Sequence, residues 1–189
     1  TLSHSFFSSC NLSLFFFLSF FFSSSFSFFS DCYDSPVVDG AFGEVLTTCE
    51  KIRWTVEHGE EVLQTEHRPV GMIMGHKVAR VQYQPLGVLA AIIPWNYPFH
   101  NMFGQIISAI FAGNSIVIKV SEYACWSSLF YCDIVKSALG QLGHSPDIVQ
   151  IITGFGDSGA ALVNSGVDKV TFIGSPEVGK LDEGSSRHI

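Results

Sequence analysis

The feature that most constrains the fold of this chain is a series of short apolar runs, each followed by a turn and a helix-like segment. The first run, Val88 to Ile93, lies between Gly87 and Pro94 and contains no polar residue. Runs of this kind are typical of strands that are covered on both faces, as in parallel sheets. From Phe99 to Phe111, apolar residues then recur three and four positions apart, which predicts a helix.

The same alternation of strands and helices continues along the chain. Further strands are predicted at Ser115–Val120, Ile148–Thr153 and Lys169–Ile173, and further helices at Tyr123–Leu139, at Asp157–Asn164 and from Ser175 onward. This βαβαβαβα order predicts an α/β fold with a Rossmann-like, doubly wound parallel sheet. Ligands of such sheets bind at the carboxyl ends of the strands.

The segment before Gly87 is predicted to be less regular. An amphipathic helix is expected from Ala41 to Glu57, ending at Gly59, and a half-exposed strand from Val78 to Gln84. The apolar face of the helix is predicted to contain Phe42, Val45, Leu46, Cys49, Ile52 and Val56.

Residues 1–38 form a low-complexity segment rich in Phe and Ser, without a charged residue before Asp31. Residues 5–30 could act as a signal or membrane anchor, which would place the protein at a membrane such as the endoplasmic reticulum. A disordered or aggregation-prone tail is a second interpretation. We favour a third, a translated pyrimidine-rich non-coding tract, because Phe, Ser and Leu share pyrimidine-rich codons; the protein would then be cytoplasmic.

Charge and cysteine spacing exclude other classes of function. The net charge is −7 with only 10 Lys and Arg residues, which argues against a nucleic-acid partner. The five cysteines show neither a CxxC motif nor the spacing of Cys and His metal ligands, so no metal site is predicted. Cys125 and Cys132 lie seven positions apart on a predicted helix and are expected to pack in the core.

Polar residues follow two of the predicted strands. In the sequence PWNYP, from Pro94 to Pro98, two prolines would hold the Asn96 amide in a fixed pose, from which it could donate to an oxyanion; an Asx turn is the structural alternative. At the next strand end, Lys119 and Glu122 could bind the hydroxyls of a ribose. Such a carboxylate favours NAD over NADP; an exposed salt bridge at a helix start is the alternative.

Two glycine turns follow the last two predicted strands. The turn from Gly174 to Gly179 leads into a helix N-terminus, where free N–H groups can bind a pyrophosphate. The turn from Gly154 to Gly159 matches GxGxxG, so a conventional Rossmann dehydrogenase is a further hypothesis. Asp157 within that turn would repel a phosphate, and this hypothesis leaves Pro94–Pro98 and Lys119–Glu122 unexplained.

Together these motifs resemble those of the aldehyde dehydrogenase superfamily, which has PWNFP-type, KPSE-type and FTGS-type segments in this order. The resemblance extends from Ala41 to Lys180, and the PWNYP wording is loosely similar to a plant membrane-associated branch. It implies that Asn96 is the catalytic oxyanion donor and that the cofactor is NAD rather than NADP. The cofactor-binding residues that it implies are Pro94 and Trp95 beside the nicotinamide, Lys119, Ser121 and Glu122 at the adenosine ribose, Gly174, Ser175 and Val178 at the pyrophosphate, and Gly154 and Gly159 near the adenosine.

The chain also departs from the family pattern. Val120 and Pro176 replace a usual Pro and a usual Thr, and residues 181–189 do not follow the family at all. Residues 39–180 therefore represent a partial NAD-binding domain, because the family's catalytic cysteine and glutamate lie in motifs beyond Lys180. We expect a fragment that is inactive alone, from a homo-oligomeric enzyme acting on a small-molecule aldehyde; a non-enzymatic product of a misassembled gene, or a membrane-associated interaction fragment, is the alternative.

Overall fold

A long helical segment opens the computed structural model, which describes residues 37–185. It begins with the α-helical turn Val37–Asp39, continues as the π-helix Gly40–Leu46 and becomes helix α1 (Thr47–Val62). The predicted helix is present, but its predicted end at Gly59 is wrong. Gly59 is buried inside the helix, where an added Cβ would lie 2.2 Å from Cε1 of Phe111, so this glycine serves close packing rather than termination.

The π-helical turns also change which side chains face inward. Val45 is buried as predicted, whereas Phe42 and Leu46 are exposed and the carboxylate of Glu44 is buried. A π-helix has a wider turn than the α-helix from which the spacing was predicted, so the predicted apolar face is displaced at this end.

A small antiparallel hairpin follows, formed by β1 (Glu66–Arg68) and β2 (Ala79–Val81) with a 3-10 turn, Met72–Met74, between them. Glu66 pairs with Val81, and Arg68 pairs with Ala79. The strand predicted at Val78–Gln84 is therefore shorter than expected. Its partner β1 was not predicted, because three polar residues on an exposed edge have no apolar alternation.

The second half of the described chain forms a four-stranded parallel sheet. Its elements are β3 (Val88–Ile92), α2 (Pro98–Phe111), β4 (Ser115–Val120), a 3-10 turn (Glu122–Ala124), α3 (Cys125–Gln141), a second 3-10 turn (Pro146–Ile148), β5 (Val149–Thr153), α4 (Gly156–Val163), β6 (Lys169–Phe172) and α5 (Pro176–Ser185). The strand order is β5-β4-β3-β6. The predicted alternation and the α/β fold class are confirmed, and the ends of these strands and helices lie within two residues of the predicted ones.

Helices cover both faces of the sheet, as expected for a doubly wound fold. On one face Ala91 and Ile93 of the β3 segment belong to the larger core cluster, together with buried residues of α2 and α3. On the other face Ala90 and Ile92 pack with Leu162 and Val163 of α4. The alternation of side chains along β3 thus divides the core into two layers.

Aromatic rings hold α2 against α3 within the larger cluster. The ring centroids of Phe99 and Phe103 lie 4.4 Å apart, and the ring of Tyr131 meets Phe99 edge-on at 5.3 Å. Tyr131 is almost completely buried. Edge-to-face arrangements of this kind contribute about 0.5–1.5 kcal/mol beyond the burial of the rings.

The start of α2 is capped from a distant part of the chain. The first N–H groups of a helix have no partner within it, and the side chain of Tyr97, which precedes the helix, does not cap it. Instead, Oε2 of Glu44 accepts the N–H of Phe99 at 2.8 Å and that of His100 at 3.4 Å. Burial raises the pKa of the Glu44 carboxyl, and the two backbone hydrogen bonds oppose that rise.

This balance predicts a specific dependence of stability on pH. Above the ordinary pKa of a glutamate, the unfolded chain has lost the Glu44 proton while the folded chain still retains part of it. The folded state therefore binds more protons, and the stability that Glu44 contributes falls as the pH rises through this window. Urea unfolding should show the free energy of unfolding of the wild type falling relative to Glu44→Gln as the pH rises above 4.5, the ordinary pKa of a glutamate.

The control for this measurement is Glu57→Gln, which removes an exposed carboxylate from α1 and shows what the loss of a charge does by itself. The same difference, wild type minus Glu44→Gln, cancels the titration of His100 and Lys51, which lie at the same interface and are present in both proteins. A difference that is constant or rises with pH would contradict the assignment.

Candidate functional site

The carboxyl ends of the four parallel strands lie in register at one edge of the sheet. Ile92 of β3 is paired with Lys119 of β4 on one side and with Phe172 of β6 on the other, and Lys119 is paired with Ile152 of β5. The loops that follow these residues therefore leave the sheet side by side. Their spatial order is the Gly154 turn, the Lys119–Glu122 segment, the Pro94–Pro98 loop and the Gly174–Ser175 turn.

Two backbone hydrogen bonds extend this alignment beyond the strands. The N–H of Ile93 donates to the carbonyl of Lys119 at 3.1 Å, and the N–H of Ile173 donates to the carbonyl of Ile92 at 2.9 Å. The chain winds outward from β3 to β5 and then returns to place β6 on the opposite side of β3. Such a reversal creates the crevice in which open α/β sheets bind ligands, and here it lies between β3 and β6.

The Pro94–Pro98 loop places two polar or amphipathic side chains at this crevice. Pro98 is buried as the first residue of α2, which anchors the far end of the loop. Trp95 remains 53% exposed and Asn96 is also exposed. The side chains predicted to meet a nicotinamide and an oxyanion are therefore accessible at the edge where a ligand is expected.

The Lys119–Glu122 segment has a more enclosed geometry than an exposed salt bridge. Lys119 is only 8% exposed, and its Nζ lies 3.8 Å from Oε2 of Glu122. The hydroxyl of Ser121 donates to the same carboxylate oxygen at 3.4 Å and accepts the N–H of Tyr123 at 3.4 Å. The alternative of an exposed pair is therefore wrong for Lys119, because its ammonium is held in a buried position next to a half-buried carboxylate.

The turn between β6 and α5 has the predicted capping pattern. The hydroxyl of Ser175 accepts the N–H of Val178 at 3.4 Å, and Pro176 is the first residue of the helix. An added Cβ on Gly174 would lie 2.5 Å from Cζ of Phe172, so a side chain at this position would displace the Phe172 ring. The helix N-terminus thus faces the crevice with a short, closely packed turn before it.

The glycines of the Gly154–Gly159 turn have separate local explanations. Gly154 has a φ of +153°, and an added Cβ would lie 2.1 Å from Oγ of Ser158, so the turn itself requires glycine there. A Cβ on Gly159 would make only an ordinary contact, 3.7 Å from Cδ1 of Ile92. Asp157 is exposed in the first turn of α4. The GxGxxG spacing can therefore arise from turn geometry without a bound phosphate.

Two features of this edge were not predicted from the sequence. Phe155 is 71% exposed in the loop that follows β5, and Tyr123 is 78% exposed in the loop that follows β4. The exposure of Phe155 could have been predicted from its position between two glycines in a turn. Glu44, which holds the start of α2, has no signal in the sequence because its contacts join residues 55 positions apart.

The described cysteines lie on helices and not in the loops of this edge. Cys49 is on α1, where burial raises the pKa of its thiol, and Cys125 and Cys132 are on α3. All three are half-buried free thiols, so the predicted packing in the core is only partly met. Within residues 37–185, no three His, Cys, Asp or Glu side chains come together as a metal site would require.

The predicted membrane segment, residues 5–30, lies outside the described residues. Among the helices that the structure does describe, none has both the length and the apolar character needed to cross a bilayer.

Comparison with known families and proteins identifies relatives of this chain. Residues 35–181 match the model of the aldehyde dehydrogenase family. An aldehyde dehydrogenase-like protein of Schizosaccharomyces pombe is 49% identical over 153 residues, which cover 79% of this chain and 29% of that protein. The chain thus spans less than a third of the length of this relative.

Solved structures of aldehyde dehydrogenases share the fold of this chain. PnpE of Pseudomonas sp. WBC-3, in complex with nicotinamide adenine dinucleotide, has a TM-score of 0.81 at 26% identity, covering 98% of this chain and 37% of PnpE. The glyceraldehyde-3-phosphate dehydrogenase GapN of Methanocaldococcus jannaschii, complexed with NADP, has a TM-score of 0.81 at 22% identity, covering 95% and 39% of the two chains. With the sheet, its helices and the family match in agreement, this chain belongs to the aldehyde dehydrogenase family.

Proposed function

We propose that the carboxyl edge of the sheet is the NAD site of an aldehyde dehydrogenase, in which an aldehyde is oxidised to an acid. The observation that carries the proposal is the alignment of Lys119, Glu122 and Asn96 on two adjacent strand ends beside the crevice. The similarity to PnpE, which was solved with NAD, supports a dinucleotide at this edge. Because GapN was solved with NADP, the choice between the two cofactors needs its own argument.

The Lys119–Glu122 segment is suited to a ribose with free hydroxyls. The Lys119 ammonium can donate and the Glu122 carboxylate can accept, so together they can bind two vicinal hydroxyls. Ser121 and Lys119 already hold one oxygen of the Glu122 carboxylate, which reduces the cost of ordering it when a ligand binds. A 2′-phosphate would meet this carboxylate with like charge, so we propose NAD as the preferred cofactor.

The opposite side of the crevice offers positive partial charge. The N-terminus of α5, with Gly174 and Ser175 before it and Val178 in its first turn, can stabilise the pyrophosphate through backbone N–H groups and the helix dipole. Gly154 and Gly159, on the far side of the Lys119–Glu122 segment, are proposed to lie near the adenosine. With these roles, the dinucleotide is proposed to lie across the carboxyl ends of β4, β3 and β6.

The Pro94–Pro98 loop is proposed to serve the reacting end. A bound nicotinamide accepts the hydride, and Trp95 and Pro94 would form one wall of its site. The Asn96 amide would donate a hydrogen bond to the carbonyl oxygen of the aldehyde as negative charge develops there. An amide donor is suited to this task because it needs no change of protonation during the reaction.

The nucleophile and the base are proposed to come from outside these 189 residues. Aldehyde oxidation of this type requires a thiolate beside the oxyanion donor, and the cysteines within residues 37–185, Cys49, Cys125 and Cys132, lie on α1 and α3 rather than in the loops of the crevice. We therefore propose that the chain alone does not oxidise aldehydes. The complete enzyme is proposed to act on a small-molecule aldehyde and to form a homo-oligomer.

The role of Asn96 predicts a loss of rate without loss of cofactor. In the complete enzyme, Asn96→Ala should lower kcat about 10²–10³-fold, because one oxyanion donor is removed, while the Kd for NAD stays within about two-fold. Stopped-flow detection of NADH and fluorescence titration with NAD measure the two quantities. Gln141→Ala, at the exposed end of α3, is the control; a kcat of Asn96→Ala equal to that of the control would exclude the role.

The role of Glu122 predicts a change in cofactor preference. Glu122→Gln should bind NADP more tightly relative to NAD than the wild type does, because the carboxylate that opposes the 2′-phosphate becomes neutral. Isothermal titration with each cofactor gives the two Kd values, and Glu57→Gln controls for the loss of one negative charge. Equal Kd values for NAD and NADP in the wild type would remove the basis of this assignment.

A further inference from the structure

The loop that carries Asn96 is held at both ends, and its second anchor is a buried carboxylate from a distant helix. We propose that Glu44 is a positioning residue: by accepting the first N–H groups of α2, it fixes the orientation of the Pro94–Pro98 loop and thereby the aim of the Asn96 amide. This inference rests on the proposed oxyanion role of Asn96.

The contact is close to the reacting group along the chain. Asn96 precedes Phe99 by three residues, and the N–H of Phe99 donates to Oε2 of Glu44 at 2.8 Å. The second bond, from His100 at 3.4 Å, uses the same oxygen. With Glu44 only 6% exposed, water cannot easily replace these bonds, so any displacement of the carboxylate must move the start of α2 or leave it unsatisfied.

Further hydrogen bonds fix the position of α1 relative to α2. Nδ1 of His100 lies 3.1 Å from Oγ1 of Thr47 and 3.2 Å from Oγ1 of Thr48. One turn farther along, Nζ of Lys51 donates to the carbonyl of Gly104 at 2.7 Å. These bonds keep α1 and α2 from sliding past each other, so the position of Glu44 is transmitted to the loop.

The loop itself packs directly against the Glu44 segment. A Cβ added to Gly43 would lie 3.3 Å from Cε1 of Tyr97, which shows that the Tyr97 ring rests on the backbone next to Glu44. At its other end the loop follows Ile93, whose N–H is bonded to Lys119. Asn96 is thus held between the end of β3 and the π-helical turns.

The π-helical conformation of Gly40–Leu46 supports a functional role for Glu44 as the cap of α2. Helix caps are ordinarily supplied by Ser, Thr, Asp or Asn at the residue just before the helix, which needs no burial of a distant carboxylate. Here that residue is Tyr97, and the cap comes from a π-helical turn, a conformation that is rare and concentrated at functional sites. A local cap would stabilise α2 alone, whereas Glu44 also couples the loop to α1.

The test is a set of variants in the complete enzyme. Glu44→Ala should lower kcat about ten-fold or more, because a small misplacement of the donor weakens the transition state, while the Kd for NAD stays within about two-fold. Glu44→Gln keeps an acceptor oxygen and should recover kcat to within about three-fold of the wild type. Glu57→Ala, at an exposed position of α1, which directly continues the π-helix of Glu44, is the matched control.

A double-mutant cycle separates positioning from general damage. If Glu44 acts through Asn96, Glu44→Ala combined with Asn96→Ala should be no slower than Asn96→Ala alone. Losses that multiply, or a Glu44→Ala variant with the kcat of the Glu57→Ala control, would overturn the inference. Should Glu44→Ala fail to fold, the cycle is run with Glu44→Asp, whose shorter side chain withdraws the carboxylate from Phe99, and multiplying losses again overturn the inference.

Hydrogen exchange distinguishes failure of this inference from failure of the proposed function. Amide exchange across residues 94–103 should be faster in Glu44→Ala than in Glu57→Ala, because the cap at Phe99 and His100 is lost. If Asn96→Ala has wild-type turnover, the oxyanion role fails, and faster exchange still shows that Glu44 holds the loop. Unchanged exchange in Glu44→Ala would overturn the positioning role itself.

Discussion

The parallel pairing of β3 with both β4 and β6 is the constraint on which the rest of the structure depends. Because β3 is paired on both sides, its Ala90 and Ala91 are fully buried, and their small side chains face the helix layers above and below the sheet. The same pairing aligns Ile92 with Lys119 and Phe172 at the carboxyl edge. A shift of one register step would separate the loops that the proposed cofactor site requires.

The strands of this sheet and the helices that cover it were predictable from the sequence, because apolar residues recur with one spacing in strands and with another in helices. Apolar runs such as Val88–Ile92, which is buried from Ala90 to Ile92, and the three-and-four spacing of α2 are direct signs of burial. The predictions failed where tertiary contacts decide the outcome. Gly59 continues a helix because Phe111 packs on it, and β1 forms only because β2 pairs with it; neither cause lies in the local sequence.

The candidate site, like the fold, was predictable only in the features that do not depend on tertiary contacts. Its residues were found at the ends of predicted strands, since chain topology alone places those ends at one edge. The burial of Lys119 and the hold of Ser121 on the Glu122 carboxylate were not predictable, because they depend on side-chain packing around β4. Glu44 is the clearest case: a π-helical turn directs it inward against the α-helical period, and its partners are 55 residues away.

The central claim is that a dinucleotide lies across the carboxyl ends of β4, β3 and β6, and a crystal structure of the complete enzyme with NAD tests it most directly. The account predicts ribose hydroxyls within hydrogen-bond distance of Lys119 and Glu122 and a pyrophosphate at the N-terminus of α5. A pyrophosphate bound instead by the Gly154–Gly159 turn, as in a conventional Rossmann dehydrogenase, or a ribose remote from Glu122 would contradict it.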